Sequence, residues 1–378
     1  MTRILCSRAS IGLSLVAVGV GLLPFFVPSA IRAIKPDIPR IQAGAERGSI
    51  EMEIELGAAY FVGRGVERDE KRAAYWYEKA ANSGDAIAQK QIGYFYQVGI
   101  GVPRDPVRAV RWFERAVAGG LVSAKVNLGV AYLWGLGVQK DEAESAQLFQ
   151  EAAAKGDGLG ACYLGDMHYF GRGVPKDESA AKHWYETGAK LHDPLALYRL
   201  GVLLSTNQSH MHELQKAAES LRESVKSGYI PAKHALGLLL VRRPELTSSP
   251  QEAISLLEDA SAAGLWRSSV TLAVLARDGR GMPLDKKSAY YHFQIAKLQG
   301  GEVTSRLIAT DLRILAAELG TKQTEAVDSD AAAWFQKHPA SLQFIFKDGD
   351  SWKKFPLFAI EFPEGDVHAG RIVATPPS

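Results

Sequence analysis

One position recurs through this chain at a fixed step of 36 residues: Leu56, Ile92, Leu128, Leu164, Leu200, Leu236 and Leu272. The residue after it is Gly57, Gly93, Gly129, Gly165, Gly201 and Gly237, with Ala273 last. No insertion disturbs the register, so a structural unit has been duplicated. Units of this length form arrays in which each packs only against its neighbours, so a chain of 378 residues needs no single central core.

The other recurrent positions give the unit its shape. Ala73, Ala109, Ser145, Ala181, Ala217, Ala253 and Ala289 share one register. The pairs Trp76-Tyr77, Trp112-Phe113, Leu148-Phe149 and Trp184-Tyr185 follow in four units. One turn later come Ala80, Ala116, Ala152, Gly188, Ser224, Ala260 and Ala296. Spacings of three, four and seven place them on one face of a second helix. The first helix carries the recurrent Leu or Ile, with Ala88, Ala124, Ala196 or Ala232 before it and Tyr60, Tyr96, Tyr132 or His168 after it. Small residues facing large ones permit close interdigitation. A glycine kept inside a helix costs about 1 kcal/mol relative to alanine. Its retention predicts a neighbouring backbone or a Trp ring too close for a Cβ.

Turn chemistry agrees. Gly63-Arg64-Gly65-Val66, Gly99-Ile100-Gly101-Val102, Gly135-Leu136-Gly137-Val138 and Gly171-Arg172-Gly173-Val174 stop the first helices. Asp69, Asp105, Asp141, Asp177 and Asp285 stand at the N-cap of the second. Units five and six replace the glycine turn with Ser205–Met211 and Val241–Ser249. The predicted fold is all-α: a right-handed α/α superhelical solenoid of about seven helix-turn-helix repeats over residues 49–301. A helical cap is predicted over 302–340, with a helix from Val303 to Leu319 and a second from Asp330 to Lys337. An extended or small β tail is predicted over 341–378.

The N-terminus reads as an address. Arg3 and Arg8 precede an uncharged run from Ala9 to Ile31, with small residues at Ser29, Ala30 and Ala33. Residues 1–33 therefore read as a signal peptide or an N-terminal membrane anchor, and both export the rest of the chain. Residues 34–48, with Pro36 and Pro39, read as a linker.

Formal charge is +2 with no run of like sign, which argues against nucleic acid as a partner. Of two cysteines, Cys6 lies in the address and Cys162 reads as a buried core residue, so there is no disulfide framework. His168 and His183 occupy aromatic repeat positions and read as core histidines. His210, His212 and Glu213 read as a solvated turn rather than a metal site. Asn207-Gln208-Ser209 fits a glycosylation acceptor in a eukaryotic secretory pathway. No HExxH, GxSxG, P-loop or paired CxxC occurs, and no cofactor is expected.

The run from Leu164-Gly165 to Ala181 and Trp184-Tyr185, the run from Tyr96 to Trp112-Phe113, and the glycine-valine turns resemble the SEL-one-like repeat family. This is a branch of the tetratricopeptide-type helical repeats. The resemblance implies an adaptor, and family members include exported scaffolds of bacterial envelopes. Some cysteine-rich members are linked to β-lactam binding or hydrolysis, but the cysteine pair that staples their repeats is missing here. The family geometry implies that first helices line a concave face. It turns Tyr94, Gln97, Val130, Leu133, Trp134, Asp166, Tyr169 and Phe170 toward a protein or peptide, or alternatively a polysaccharide. An envelope enzyme and a carbohydrate-binding module are the alternative functions. The membrane is expected to be met only through residues 9–31.

Overall fold

The computed structural model describes residues 36–206 and 210–338, without the side chains of Pro250 and Val303. The expected N-terminal address, the expected extended or β tail and Asn207-Gln208-Ser209 lie outside the described residues. All regular structure within them is helical, and the chain divides into two units, residues 1–196 and 197–378.

In the first unit, α1 (Ile38–Glu46) precedes four hairpins: α2 (Ile50–Val62) with α3 (Glu70–Asn82), α4 (Ala86–Val98) with α5 (Pro106–Ala118), α6 (Val122–Trp134) with α7 (Glu142–Ala154), and α8 (Gly158–Phe170) with α9 (Glu178–Lys190). The predicted N-caps are made: Asp69, Asp105, Asp141 and Asp177 each accept a backbone amide of the following turn. Each capping aspartate also donates its own amide to a first-helix carbonyl, that of Tyr60, Tyr96, Tyr132 or His168, at 2.8–3.0 Å. The turn is thereby closed at both ends. The first helix stops at a glycine with positive φ.

The glycine that recurs after the repeat origin packs against the second helix of its own hairpin. A Cβ on Gly129 would reach 2.6 Å from the Phe149 ring, and one on Gly93 would reach 2.7 Å from Phe113. The ring belongs to the second member of the pair and not to a Trp, while the expected approach of a neighbouring backbone is present as well, the Ala109 carbonyl standing 3.2 Å from such a Cβ on Gly93. Stacking between hairpins rests on the second turn glycine. Gly137 has φ +77°, and a Cβ there would run into the Pro106 carbonyl at the start of the preceding second helix. Ion pairs in one register tie first helix to second: Glu53 to Lys79 at 2.8 Å, and Lys125 to Glu151 with the charges exchanged.

A helix occupies residues 38–46, where a linker is expected. Pro39 falls in its first turn, where no amide is needed, and Asp37 caps it. Ile41 and Ala45 are buried from this short stripe, and the Ala45 carbonyl accepts a hydrogen bond from Lys79 at 2.9 Å. Ile38, packed against the same core, joins Ile41 and Ala45, and this apolar stripe outweighs the proline signal.

The second unit continues from α10 (Pro194–Thr206), which spans the division. It contains α11 (Met211–Lys226), α12 (Ile230–Arg242), α13 (Pro250–Ala262), α14 (Trp266–Asp278) and α15 (Lys286–Leu307). The irregular turn before α13 holds a short 3-10 helix, Pro244–Leu246. Arg222 secures it, donating to the Leu246 carbonyl at 3.0 Å and pairing with Glu252 at 3.2 Å. α15 breaks at Gly301 (φ 64°, ψ −144°). The cap follows as α16 (Ala309–Leu319) and α17 (Thr321–Lys337), which bury Ile308, Leu315, Val327 and Ala331. α17 starts nine residues earlier than Asp330 because Gly320 ends one helix and admits the next directly.

Candidate functional site

Within the first unit, first helices approach one another directly, α4 to α6 and α6 to α8, more than second helices do. The stack therefore turns its first helices inward, and their free faces form its inner side.

The eight candidate residues divide into two groups. Val130 and Leu133 are buried core, and Gln97 is buried with its carbonyl receiving Arg104 Nε at 3.1 Å. Asp166 is buried and accepts the Tyr185 hydroxyl at 2.6 Å. These four present almost no surface to a partner. Tyr94 is half-buried against the N-terminal core, and burial raises its hydroxyl above the ordinary tyrosine range.

Trp134, Tyr169 and Phe170 form one cluster. Phe170 meets Tyr169 edge to face, centroids 4.9 Å apart, and is 37% exposed. The Arg172 guanidinium lies over both the Phe170 ring, at 5.3 Å, and the Trp134 ring of the preceding repeat, at 5.2 Å. Trp134 Nε1 is buried without a hydrogen-bond partner. An aromatic edge with a guanidinium laid across it offers flat apolar area and cation–π attraction together. In the sequence Arg172 stands only as a turn residue and not as a candidate for the site. Its signal was the Gly-Arg-Gly turn, where units two and three carry Ile100 and Leu136.

The other end of the inner face is polar. Lys90 is buried on α4, while Asp157 and Asp193 cap α8 and α10 through the amides of Gly160 and Ala196, both at 2.8 Å. Burial raises Asp193 to about 6, with the negative charge of Asp157 adding to it. Elsewhere, Cys162 and His168 are buried and half-buried respectively, whereas His183 is exposed, contrary to the core reading. Its ring meets that of Trp184 edge to face, centroids 5.4 Å apart. Among the described residues no three His, Cys, Asp or Glu side chains converge as a metal site, and His210 and His212 are exposed. Nor is any helix there long and apolar enough to cross a membrane.

These features define an all-helical repeat protein built from stacked hairpins. Residues 50–85, 86–121, 122–157, 159–193 and 272–301 match the Sel1 repeat. The chain carries five such repeats and is a Sel1-repeat protein. The unmatched interval holds the two units whose glycine turns are lost. A crystal structure of a Sel1 repeat protein from Oxalobacter formigenes is similar over 59% of this chain and 98% of its own, at 27% identity and a TM-score of 0.50. A protective antigen of uropathogenic Escherichia coli with an SLR fold aligns over 90% of this chain and 84% of its own, at 22% identity and a TM-score of 0.40. No curated protein matches the sequence. Sel1 repeats generally serve as protein-interaction scaffolds.

Proposed function

We propose that this chain is an exported scaffold of the cell envelope that recruits a protein or peptide through the first-helix face of its first unit. The observation that carries this reading is the Trp134–Arg172–Phe170 arrangement. Rings from two successive repeats and one guanidinium make a partly exposed edge, where a buried aromatic core alone would leave none. Aromatic and arginine anchors contribute disproportionately to protein interfaces. Export is supported by Arg3 and Arg8 followed by the apolar run from Ala9 to Ile31.

Two measurements test it. Fractionation of cells producing the full chain should place it outside the cytoplasm, and a cytoplasmic chain contradicts export. Affinity capture from native envelope fractions should recover a partner with the parent and lose it with Phe170→Ala/Arg172→Ala of unchanged melting temperature. Equal capture contradicts the assignment of the edge. Recovery of polysaccharide instead of protein would favour the carbohydrate-binding alternative.

A further inference from the structure

The last described helices of the second unit leave one apolar face without a partner. α16 buries Leu315 toward the core of that unit, with Leu312, Ala316 and Leu319 half-buried beside it. Its acidic residues turn sideways, Asp311 to Arg277 at 2.5 Å and Glu318 to Lys286 at 3.2 Å. The remaining side carries Thr310, Ile314 and Ala317, all exposed, with exposed Leu307 one turn earlier. Steps of three, four and three set these on a single stripe, and Ile314 at its centre is 51% exposed. The closing element of a stacked array needs a polar outer face to stay soluble. Here a row of Leu, Thr, Ile and Ala stands in its place, and a helix apolar on two sides is stable when both are covered.

The sequence beyond His338 supplies a cover. It contains Leu342-Gln343-Phe344-Ile345-Phe346 and Phe355-Pro356-Leu357-Phe358-Ala359-Ile360-Glu361-Phe362, in which Gln343 and Glu361 are the polar residues. Withdrawing such runs from water is favourable. Two short extended runs are marginal by themselves and gain stability by packing on a helix. All regular structure among the described residues is helical, so no strand edge is offered there. Reach sets no obstacle. α17 has 17 residues, a length of about 25 Å, whereas residues 339–354 span up to about 50 Å when extended.

We propose that Phe355–Phe362 packs on the Leu307, Thr310, Ile314 and Ala317 stripe of α16 and caps that end of the array. The aromatic and aliphatic side chains of the run cover Ile314 and Leu307. Exposed Arg313, flanking the stripe, gives Glu361 an opposite charge to approach. The cap belongs to the second unit and does not depend on where a partner docks on the first.

The test uses the full chain with a photo-crosslinking amino acid at position 314 and, in a separate chain, at position 358. Each is irradiated in dilute solution and its products are mapped by mass spectrometry. Position 314 should join residues 355–362, and position 358 should join residues 307–317, both at the mass of one chain. Either product carries the proposal. Products at twice that mass overturn it in favour of a second copy, and products elsewhere in the chain, or from neither position, overturn it outright. Phe358→Ser, which leaves every repeat intact, reads the same contact by hydrogen exchange. The amides of α16 should exchange about tenfold faster than in the parent while those of α4 keep their rate. Unchanged exchange on α16 contradicts the cap.

Discussion

Gly165 and Tyr185 are in contact at a distance that leaves no room for a side chain on the former: a Cβ on Gly165 would stand 2.6 Å from the Tyr185 ring. The ring in turn reaches past the glycine to place its hydroxyl 2.6 Å from Asp166. One glycine thus sets both the spacing of the α8–α9 hairpin and the burial of a polar pair. Gly165→Ala should lower stability by about 1–3 kcal/mol through overpacking, although alanine is the better helix former by about 1 kcal/mol. Urea unfolding monitored by circular dichroism reads the sign, and a stabilised variant would contradict the packing account.

Gly137 acts between hairpins. Its φ of +77° costs a residue with a side chain about 1–2 kcal/mol, and a Cβ would also meet the Pro106 carbonyl. Gly137→Ala should therefore destabilise more than Gly165→Ala. It should also open the α5–α6 junction to limited proteolysis while leaving helix content nearly unchanged. Unaltered cleavage would show that stacking does not depend on this approach.

Glu53 is buried at 1% exposure and pairs with the partly exposed Lys79. Lys79→Met leaves a buried carboxylate without its cation and should cost about 2 kcal/mol. Glu53→Gln in the same background should restore part of the loss. A double variant no more stable than Lys79→Met would contradict the pairing.

The second unit should show a histidine-linked acid sensitivity. Burial, then the nearby charges of Arg267 and Arg242, pulls His234 from 6.5 to about 3. The unfolded chain takes up this proton first as pH falls. The contribution is therefore intact above about 6.5 and is lost progressively toward about 3, with a slope of up to about 1.4 kcal/mol per pH unit. The stability difference between wild type and His234→Asn, measured from pH 7 to pH 5, should shrink on acidification. A difference independent of pH would place the histidine outside this linkage. His292, pulled to about 4 by burial, acts in the same direction and is common to both chains compared.

The hairpins were legible because three signals coincide at each one: a helical apolar period, a glycine stop and an aspartate cap. Helix α1 was not, because two prolines in so short a segment outweigh its apolar stripe until the covering surface is known. The glycine contact is a close approach, as expected, and the backbone of the second helix takes part in it, but the rings are those of Tyr77, Phe113, Phe149 and Tyr185 rather than of a Trp. Which of the two neighbouring aromatics points inward depends on helix rotation, and the spacing alone does not fix that. Of the candidate site, Trp134, Tyr169 and Phe170 come together, whereas Val130, Leu133, Gln97 and Asp166 are buried, Asp166 against Tyr185 of its own hairpin.

The central claim is that a partner docks on the first-helix face of the first unit. Exposure alone would choose another residue, since Tyr75 on α3 is 59% exposed against 37% for Phe170. A photo-crosslinking amino acid installed at position 170, and separately at position 75, tests the choice in cells producing the full chain. The account predicts a discrete adduct from position 170 and none from position 75. Adducts from position 75 alone would contradict it and move docking to the second-helix face.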